Sequence, residues 1–423
     1  MFNKKPLASH MRFFYFKAIL LLVNIPNFAF AFTVIFCLFA NMQFKSIVGQ
    51  KALISKLIQT TKDGRISHAQ LFLGAEGSGN LALAIAYAQY VNCLTPADTD
   101  SCGICASCIK YQKYIHPDLH FTYPTVFIDK KKLSLDFINE FREALIANPY
   151  MNDFDWLCNL DSAGNKQGNI TAEECRDIIR KLGLKAYEAR YKTLIIWMPE
   201  YMKTEGNIIL KLLEEPPENT LIILVANDSE KVLATILSRT QLVKVPKVLD
   251  EDIEQSLVQN HQIEADKAQA IARLVSGNYN LALSLIDIEH GDYLNTFIEW
   301  MRKSFAYNKT MQVGQPDDLT ALVDRLSMVG REQVKSFLTY SSQMIRSAFI
   351  YKYGHPSLRK NTEAELAFLN QFSAVFTPNN LSLITTAIDE AIFHVERNAS
   401  VKIMYLNLSM YIGKQLQMAT VKK

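Results

Sequence analysis

The chain has 423 residues, 49% hydrophobic and 21% charged, with a formal net charge of +3. That length holds two or three domains, and the composition excludes a disordered chain in favour of a globular protein with a full core. A charge of +3 is too small to imply nucleic-acid binding from electrostatics alone.

Residues Ala18 to Phe44 include no charged side chain, and Lys4, Lys5, Arg12 and Lys17 precede them. Leu20–Val23 with Phe28–Ala40 is long enough to cross a bilayer, so this stretch has the form of a signal anchor. Asn24, Pro26 and Asn27 interrupt it, however, and Met42 opens a run, MQFKSIVGQ, that reads as the start of a soluble domain. The preferred expectation is that residues 1–41 lie upstream of the true start, with a membrane anchor as the alternative.

From Met42 to Pro246 strand-like and helix-like segments alternate. Five apolar runs read as strands: Ala69–Leu73, Leu119–Tyr123, Thr193–Trp197, Leu221–Val225 and Gln241–Val245. They are too continuously apolar to be one-sided, as strands of a buried parallel sheet are. Helical patterns fall at Leu81–Val91, Ala172–Leu182 and Glu205–Leu213, which predicts a parallel sheet covered by helices.

Between the first strand and first helix stands GAEGSGNL, Gly74–Leu81. Strand, glycine loop and helix form the setting of a phosphate-binding P-loop, GxxxxGK[ST]. Gly74 and Gly79 hold the glycine positions. Asn80 replaces the lysine that meets the β- and γ-phosphates, and Leu81 replaces the hydroxyl that reaches Mg²⁺. After the third strand, Trp197 and Met198 stand where two carboxylates would hold the metal and polarise water, and Glu200 lies beyond Pro199. No productive ATP binding and no intrinsic hydrolysis are expected.

Four of the seven cysteines, Cys93, Cys102, Cys105 and Cys108, are spaced C-x8-C-x2-C-x2-C. Thiolates two residues apart in a tight turn can share one ion, and Cys93 at the end of a helix would close a tetrahedron around structural zinc. Two disulfides or scattered buried thiols are the alternatives, and the former are disfavoured without a secretory signal. Cys37, Cys158 and Cys175 are isolated. The segment Thr125–Gly168 is a long insertion with a helical piece, Leu133–Ala147, and a turn-rich loop, DSAGNKQG, to which no function attaches. Asn207–Glu215 reads as a helix stopped by Pro216-Pro217. Arg239, after Ala234–Ser238, is by itself no more than an arginine at a helix end.

Past Pro246 the strand signals fade. Glu251–Asn260, Glu264–Leu274 and Asn280–Asp287 read as short helices within residues 247–290. From residue 291 to 423 the pattern is helical, at Asn295–Ala306, Leu319–Leu326, Arg331–Tyr353, Glu363–Phe376 and Leu381–Gln417, with amphipathic spacing in Val334–Ile350. The expected fold class is α/β plus all-α.

FKSIVGQ at 44–50, HAQLFLGAEGSG at 68–79, the four cysteines, HPDLH at 116–120, LKLLEEPPENT at 210–220 and ATILSRT at 234–240 occur in this order. Together they resemble the bacterial clamp-loader subunits of the AAA+ class, most of all the delta-prime kind of DNA polymerase III. The resemblance covers Met42 to about Leu285; Glu396-Arg397-Asn398-Ala399 with Lys402 is similar to the family's collar. It implies an AAA+ module at 42–246 carrying a zinc element at 93–108, a lid, and a helical collar for oligomerisation. It also implies that Ser238-Arg239 forms an arginine finger reaching a neighbour's ATP in trans, although Thr240 replaces the usual cysteine. Asn280 replaces the phosphate-sensing arginine of the motor subunits. The implied setting is a cytoplasmic hetero-oligomer, a ring-like pentamer with gamma/tau-like motors and a delta-like subunit, acting on the sliding clamp and primed DNA and not on a membrane. An ATP-hydrolysing motor of the gamma/tau kind, a zinc-dependent DNA-binding module and a membrane-anchored scaffold are the alternatives.

Overall fold

A computed structural model describes residues 42–128, 131–161, 167–286, 293–310, 317–329, 331–355, 361, 363–396 and 399–421. The proposed anchor at Ala18–Ala40, most of the loop at 161–168 and part of Glu396-Arg397-Asn398-Ala399 lie outside them. Among the described residues no helix is long and apolar enough to cross a membrane.

The first unit runs α1 (Lys51–Lys62), β1 (Ala69–Gly74), α2 (Asn80–Val91), α3 (Ala106–Gln112), β2 (Leu119–Thr122), α4 (Ile138–Ala147), α5 (Asp153–Leu160), α6 (Ala172–Gly183), β3 (Lys192–Trp197), α7 (Leu210–Glu214), β4 (Thr220–Ala226), α8 (Ala234–Leu237) and β5 (Gln241–Val245). The five strands form one parallel sheet in the order β2-β3-β4-β1-β5. All five predicted strands are present, each end within one residue of its expected place.

Burial explains why these strands lack polar alternation. Leu71, Leu194, Ile196, Ile222 and Leu224 point into one apolar layer with Ile178 and Leu182 of α6 and Leu213 of α7. Phe72, Ile195, Trp197, Leu221, Ile223 and Val225 point into the other, against α2. Alternate side chains leave a strand on opposite faces, so a sheet covered on both faces needs apolar residues at both. Every residue of α2 is buried, and its alanines let it lie close over the sheet.

Three expectations needed correction. The helix predicted over Asn207–Glu215 is a 3₁₀ segment, Pro199–Ile209, followed by the short α7. Its regular course is broken at Lys203 (φ 48°, ψ −135°). Gly206 also lies so close to α8 that a Cβ there would stand 2.9 Å from Ile236. The insertion's helix starts with a 3₁₀ turn, Ser134–Phe137, before α4. The run Leu381–Gln417 is two helices, because the chain leaves helical geometry before Ser400, whose carbonyl accepts the Met404 N–H at 3.0 Å and opens the second. Helices α1, α3 and α5 had no sequence-based assignment, whereas α8 is the short helix expected before Arg239.

Beyond the sheet come α9 (Asp250–His261), α10 (Ala265–Val275) and α11 (Tyr279–Ser284), then α12 (Tyr293–Thr310), α13 (Asp317–Ser327), α14 (Arg331–Tyr353), α15 (Glu363–Phe372), α16 (Pro378–Glu396) and α17 (Val401–Val421). Helix α12 packs on α17 and α14 on α16. The buried Trp300 indole N–H donates to the Ser409 hydroxyl at 2.7 Å, joining α12 to α17. Ser409→Ala orphans that buried donor and is expected to cost about 1–3 kcal/mol. A fall of the urea midpoint at unchanged slope checks it.

Candidate functional site

The glycine loop leaves β1 at Gly74 and enters α2 at Asn80. Gly77 and Gly79 have φ of +72° and +81°, the left-handed region that glycine adopts without cost. Neither has room for a side chain. A Cβ on Gly77 would lie 1.8 Å from Asn278 Oδ1, and one on Gly79 would lie 2.6 Å from the Tyr150 ring.

The two substituted positions face inward. The Asn80 amide donates to the Gly74 carbonyl at 3.2 Å, the Ala226 carbonyl at 3.2 Å and Asn227 Oδ1 at 3.0 Å. It thus ties β1 to β4 instead of reaching outward. Leu81 is 2% exposed and belongs to the core. Trp197 is also core, and Met198 turns through a left-handed conformation while its N–H donates to Val225 O at 2.9 Å. Glu200 Oε1 accepts the N–H groups of Asn227 (2.7 Å) and Asp228 (3.0 Å). Burial raises its pKa. The carboxylate beyond the third strand therefore braces the end of β4.

What sequence reasoning missed is the cover over this loop. The insertion delivers Asn148, Tyr150, Asn152 and Asp155, and the N-cap and first turn of α11 deliver Asn278, Tyr279 and Asn280. The Tyr150 hydroxyl accepts the Val48 N–H at 2.8 Å, and its ring meets Tyr279 at 4.7 Å, edge on. Tyr279 N–H donates to the Gly77 carbonyl at 3.0 Å. Asn152 and Asn278 donate to Glu76 Oε1 at 2.9 and 3.4 Å. Asn280 donates to Asp155 Oδ2 at 2.8 Å and accepts from Asn148 at 2.5 Å. Burial raises the Asp155 pKa, and the nearby Glu76 charge raises it further.

The structure brings the four cysteines together, with their sulfurs all within 4.8 Å of one another. Cys102 Sγ and Cys108 Sγ are 3.9 Å apart. Thiolates about 2.3 Å from one tetrahedral ion stand about 3.8 Å apart, so the set fits such an ion. Backbone N–H groups of Cys102, Cys105 and Cys108 donate to the sulfurs of Cys93, Cys102 and Cys105 at 3.2, 3.3 and 3.4 Å. Gly103, at φ +73°, makes the turn that permits this. Burial pushes the Cys102 thiol up, but Thr95 and the N–H groups of Ile104 and Cys105 together bring it down to about 6. All four cysteines are free of disulfides.

Arg239 follows α8. Its Nε donates to Glu214 Oε1 at 2.6 Å, and its Nη1 donates to the Thr235 carbonyl (2.9 Å) and Ser238 Oγ (3.2 Å). The side chain remains 31% exposed. Its level in the sheet is informative. Gln241, two residues on, pairs with Gln70 at the start of β1, whereas Gly74 at the other end pairs with Val245. At about 3.3 Å per residue, the start of β5 beside Arg239 lies roughly 13 Å from the level of the chain's own glycine loop.

Residues 49–248 match the sequence pattern of the family described as DNA polymerase III, delta subunit. The chain is 28% identical over 258 residues to DNA polymerase III subunit tau of Escherichia coli K12, covering 59% of this chain and 33% of that protein. It is 25% identical over 243 residues to subunit delta' of Bacillus subtilis 168, covering 57% of this chain and 60% of that one. The matches thus span a third to three-fifths of these relatives' lengths. Among solved structures, a gamma subunit-related protein of Thermotoga maritima aligns over 86% of this chain and 99% of its own at TM-score 0.35 and 14% identity. Over residues 49–248 the chain is thus similar to DNA polymerase III clamp-loader subunits.

Proposed function

We propose that the chain is a delta-prime-like clamp-loader subunit that holds no productive ATP of its own and supplies Arg239 to the ATP site of a neighbour. The observation that carries this reading is the separation of the two features within one sheet. Arg239 sits beside the start of β5, a strand's length from the glycine loop at the end of β1. An arginine so placed has no route to its own cleft. A guanidinium offered in trans spreads positive charge over the transferring phosphoryl oxygens, and Ser238 orients it through its hydroxyl.

Relatives named tau and delta' match at similar identity, so the choice between a motor and a partner rests on the cleft. Asn80 and Leu81 offer no cation and no metal ligand, which favours the partner. A zinc-dependent DNA-binding module is disfavoured by the cysteine element's surface, where Leu94 and Ile104 are 66% and 80% exposed and Lys110 is paired with Glu188 at 2.6 Å. One structural zinc at Cys93, Cys102, Cys105 and Cys108 holds α3 against the end of α2.

In this reading the helices from α12 to α17 form the collar of a cytoplasmic hetero-oligomer with gamma/tau-like motors and a delta-like subunit. ATP bound by the motors opens and loads the sliding clamp on primed DNA, and any DNA contact is to the backbone and salt-sensitive. Adding the purified chain to motor and delta-type subunits should raise clamp- and DNA-stimulated ATP hydrolysis. No stimulation, with the proteins folded and co-eluting, would refute the reading.

A further inference from the structure

The insertion at 125–168 is the one large feature to which neither the fold nor the family reading assigns a role. Its residues 148–155 nevertheless make a dense set of contacts over the glycine loop. Tyr150, 7% exposed, is a flat ring set between three segments: Val48 of the N-terminal stretch, Gly79 of the loop and Tyr279 of the lid. Its hydroxyl oxygen, at the edge of the ring, takes a backbone N–H. Those are the interactions that a nucleotide base receives in such a cleft, an aromatic platform with a backbone hydrogen bond at its polar edge.

The phosphate half of the cleft is filled in the same manner. Asn278 lies against Gly77, its Cα 2.8 Å from where a Cβ would be. Its Oδ1 also caps α11 through the Leu281 N–H at 3.0 Å, so it is held in place. The groups drawn to the loop are acidic. Glu76 and Asp155 both receive amide donors from the insertion or the lid, and carboxylates beside the loop disfavour a triphosphate where a lysine would attract it.

We propose that residues 148–155 are a built-in occupant of the nucleotide cleft: Tyr150 takes the place of the base, and the Asn148–Asn280–Asp155 and Asn152–Glu76–Asn278 contacts fasten the lid to the sheet with no nucleotide between them. The proposal deepens the reading of a nucleotide-independent subunit and does not rest on the role of Arg239. Its consequence is that the cleft is closed twice, by the lost lysine and hydroxyl and by the insertion. Repairing the loop alone does not reopen it.

The test is a titration of full-length variants with magnesium and a fluorescent ATP analogue, N-methylanthraniloyl-ATP. The variants are Asn80→Lys with Leu81→Thr, the same pair with Tyr150→Ala, and Tyr150→Ala alone. The repaired loop with Tyr150 intact should bind at least about tenfold more weakly than the repaired loop lacking it. Hydrogen exchange supplies a readout independent of ligand, in which Tyr150→Ala alone should speed exchange across Tyr279–Ser284 by about tenfold or more, with β1, β3 and β4 unchanged. Equal binding by both repaired proteins overturns the proposal, as does no binding by the folded triple variant, or unchanged exchange in Tyr150→Ala. Binding by the unaltered chain would instead refute the nucleotide-independent reading itself.

Discussion

In a reconstituted clamp loader, Arg239→Ala is expected to lower hydrolysis by about 10³-fold at the one motor site it faces, the lower end of what an arginine finger contributes. The assembly then loses that site's share of clamp- and DNA-stimulated turnover while its other sites continue. Arg239→Lys should not rescue it, because a compact ammonium lacks the planar fork that meets two phosphoryl oxygens together. The loss is not one of folding, since Arg239 makes only rim contacts, to Glu214, Thr235 and Ser238. Glu214→Gln serves as the internal comparison. The Glu214 pair is 31% and 48% exposed, and exposed pairs contribute about 0.2–1 kcal/mol, so this change should alter turnover by no more than about fivefold. If Arg239→Ala matched the unaltered chain in stimulated turnover, the finger assignment would fall while the partner reading stood.

Metal removal should have the second largest effect. The preparation is expected to carry one zinc per chain, and Cys108→Ser should abolish it. Cys108 is fully buried at 0% exposure, one turn before Tyr111, whose hydroxyl accepts from Asn92 at 2.7 Å beneath the sheet's edge. On the zinc reading, losing the ion should release α3 and, with it, that buried tyrosine. Because the binding free energy of a structural metal is in part folding free energy, the melting temperature should fall by about 10 °C, corresponding to about 3–4 kcal/mol for a domain of this size. Cys175→Ser serves as a control for metal content: its sulfur is buried among Ile170, Ile178 and Leu182, away from the cluster, so the change should leave the zinc in place. Chelator-treated, metal-free protein that melts at the same temperature as the untreated chain would remove zinc from the picture.

Strands β1 to β4 were legible because burial on both faces imposes a continuous apolar run, a signal that resides in neighbouring residues, whereas β5 is a mostly exposed edge strand. The cysteine cluster was legible for a related reason, with three of its ligands lying within seven residues. The cover over the glycine loop was not. Tyr150 meets Val48 and Tyr279, and Asn148 meets Asn280 132 residues away. Such contacts leave no periodicity, and asparagines in a loop read equally as turn formers. The expected helix over Asn207–Glu215 is α-helical only from Leu210; its start, Asn207–Ile209, is 3₁₀, next to Gly206, which is pressed beneath Ile236 and Leu233. Arg239 was found through its motif, but its placement at the opposite end of the sheet from the glycine loop follows from strand register alone.

The most direct measurement is steady-state phosphate release in magnesium ATP, first from the purified chain by itself and then from motor subunits to which it is added. The expected result is no turnover above background for the chain alone and a saturable rise in motor turnover as it is added. Steady hydrolysis by the isolated chain, lost on mutating its own glycine loop, would mean that the cleft works in cis and that the chain is a motor.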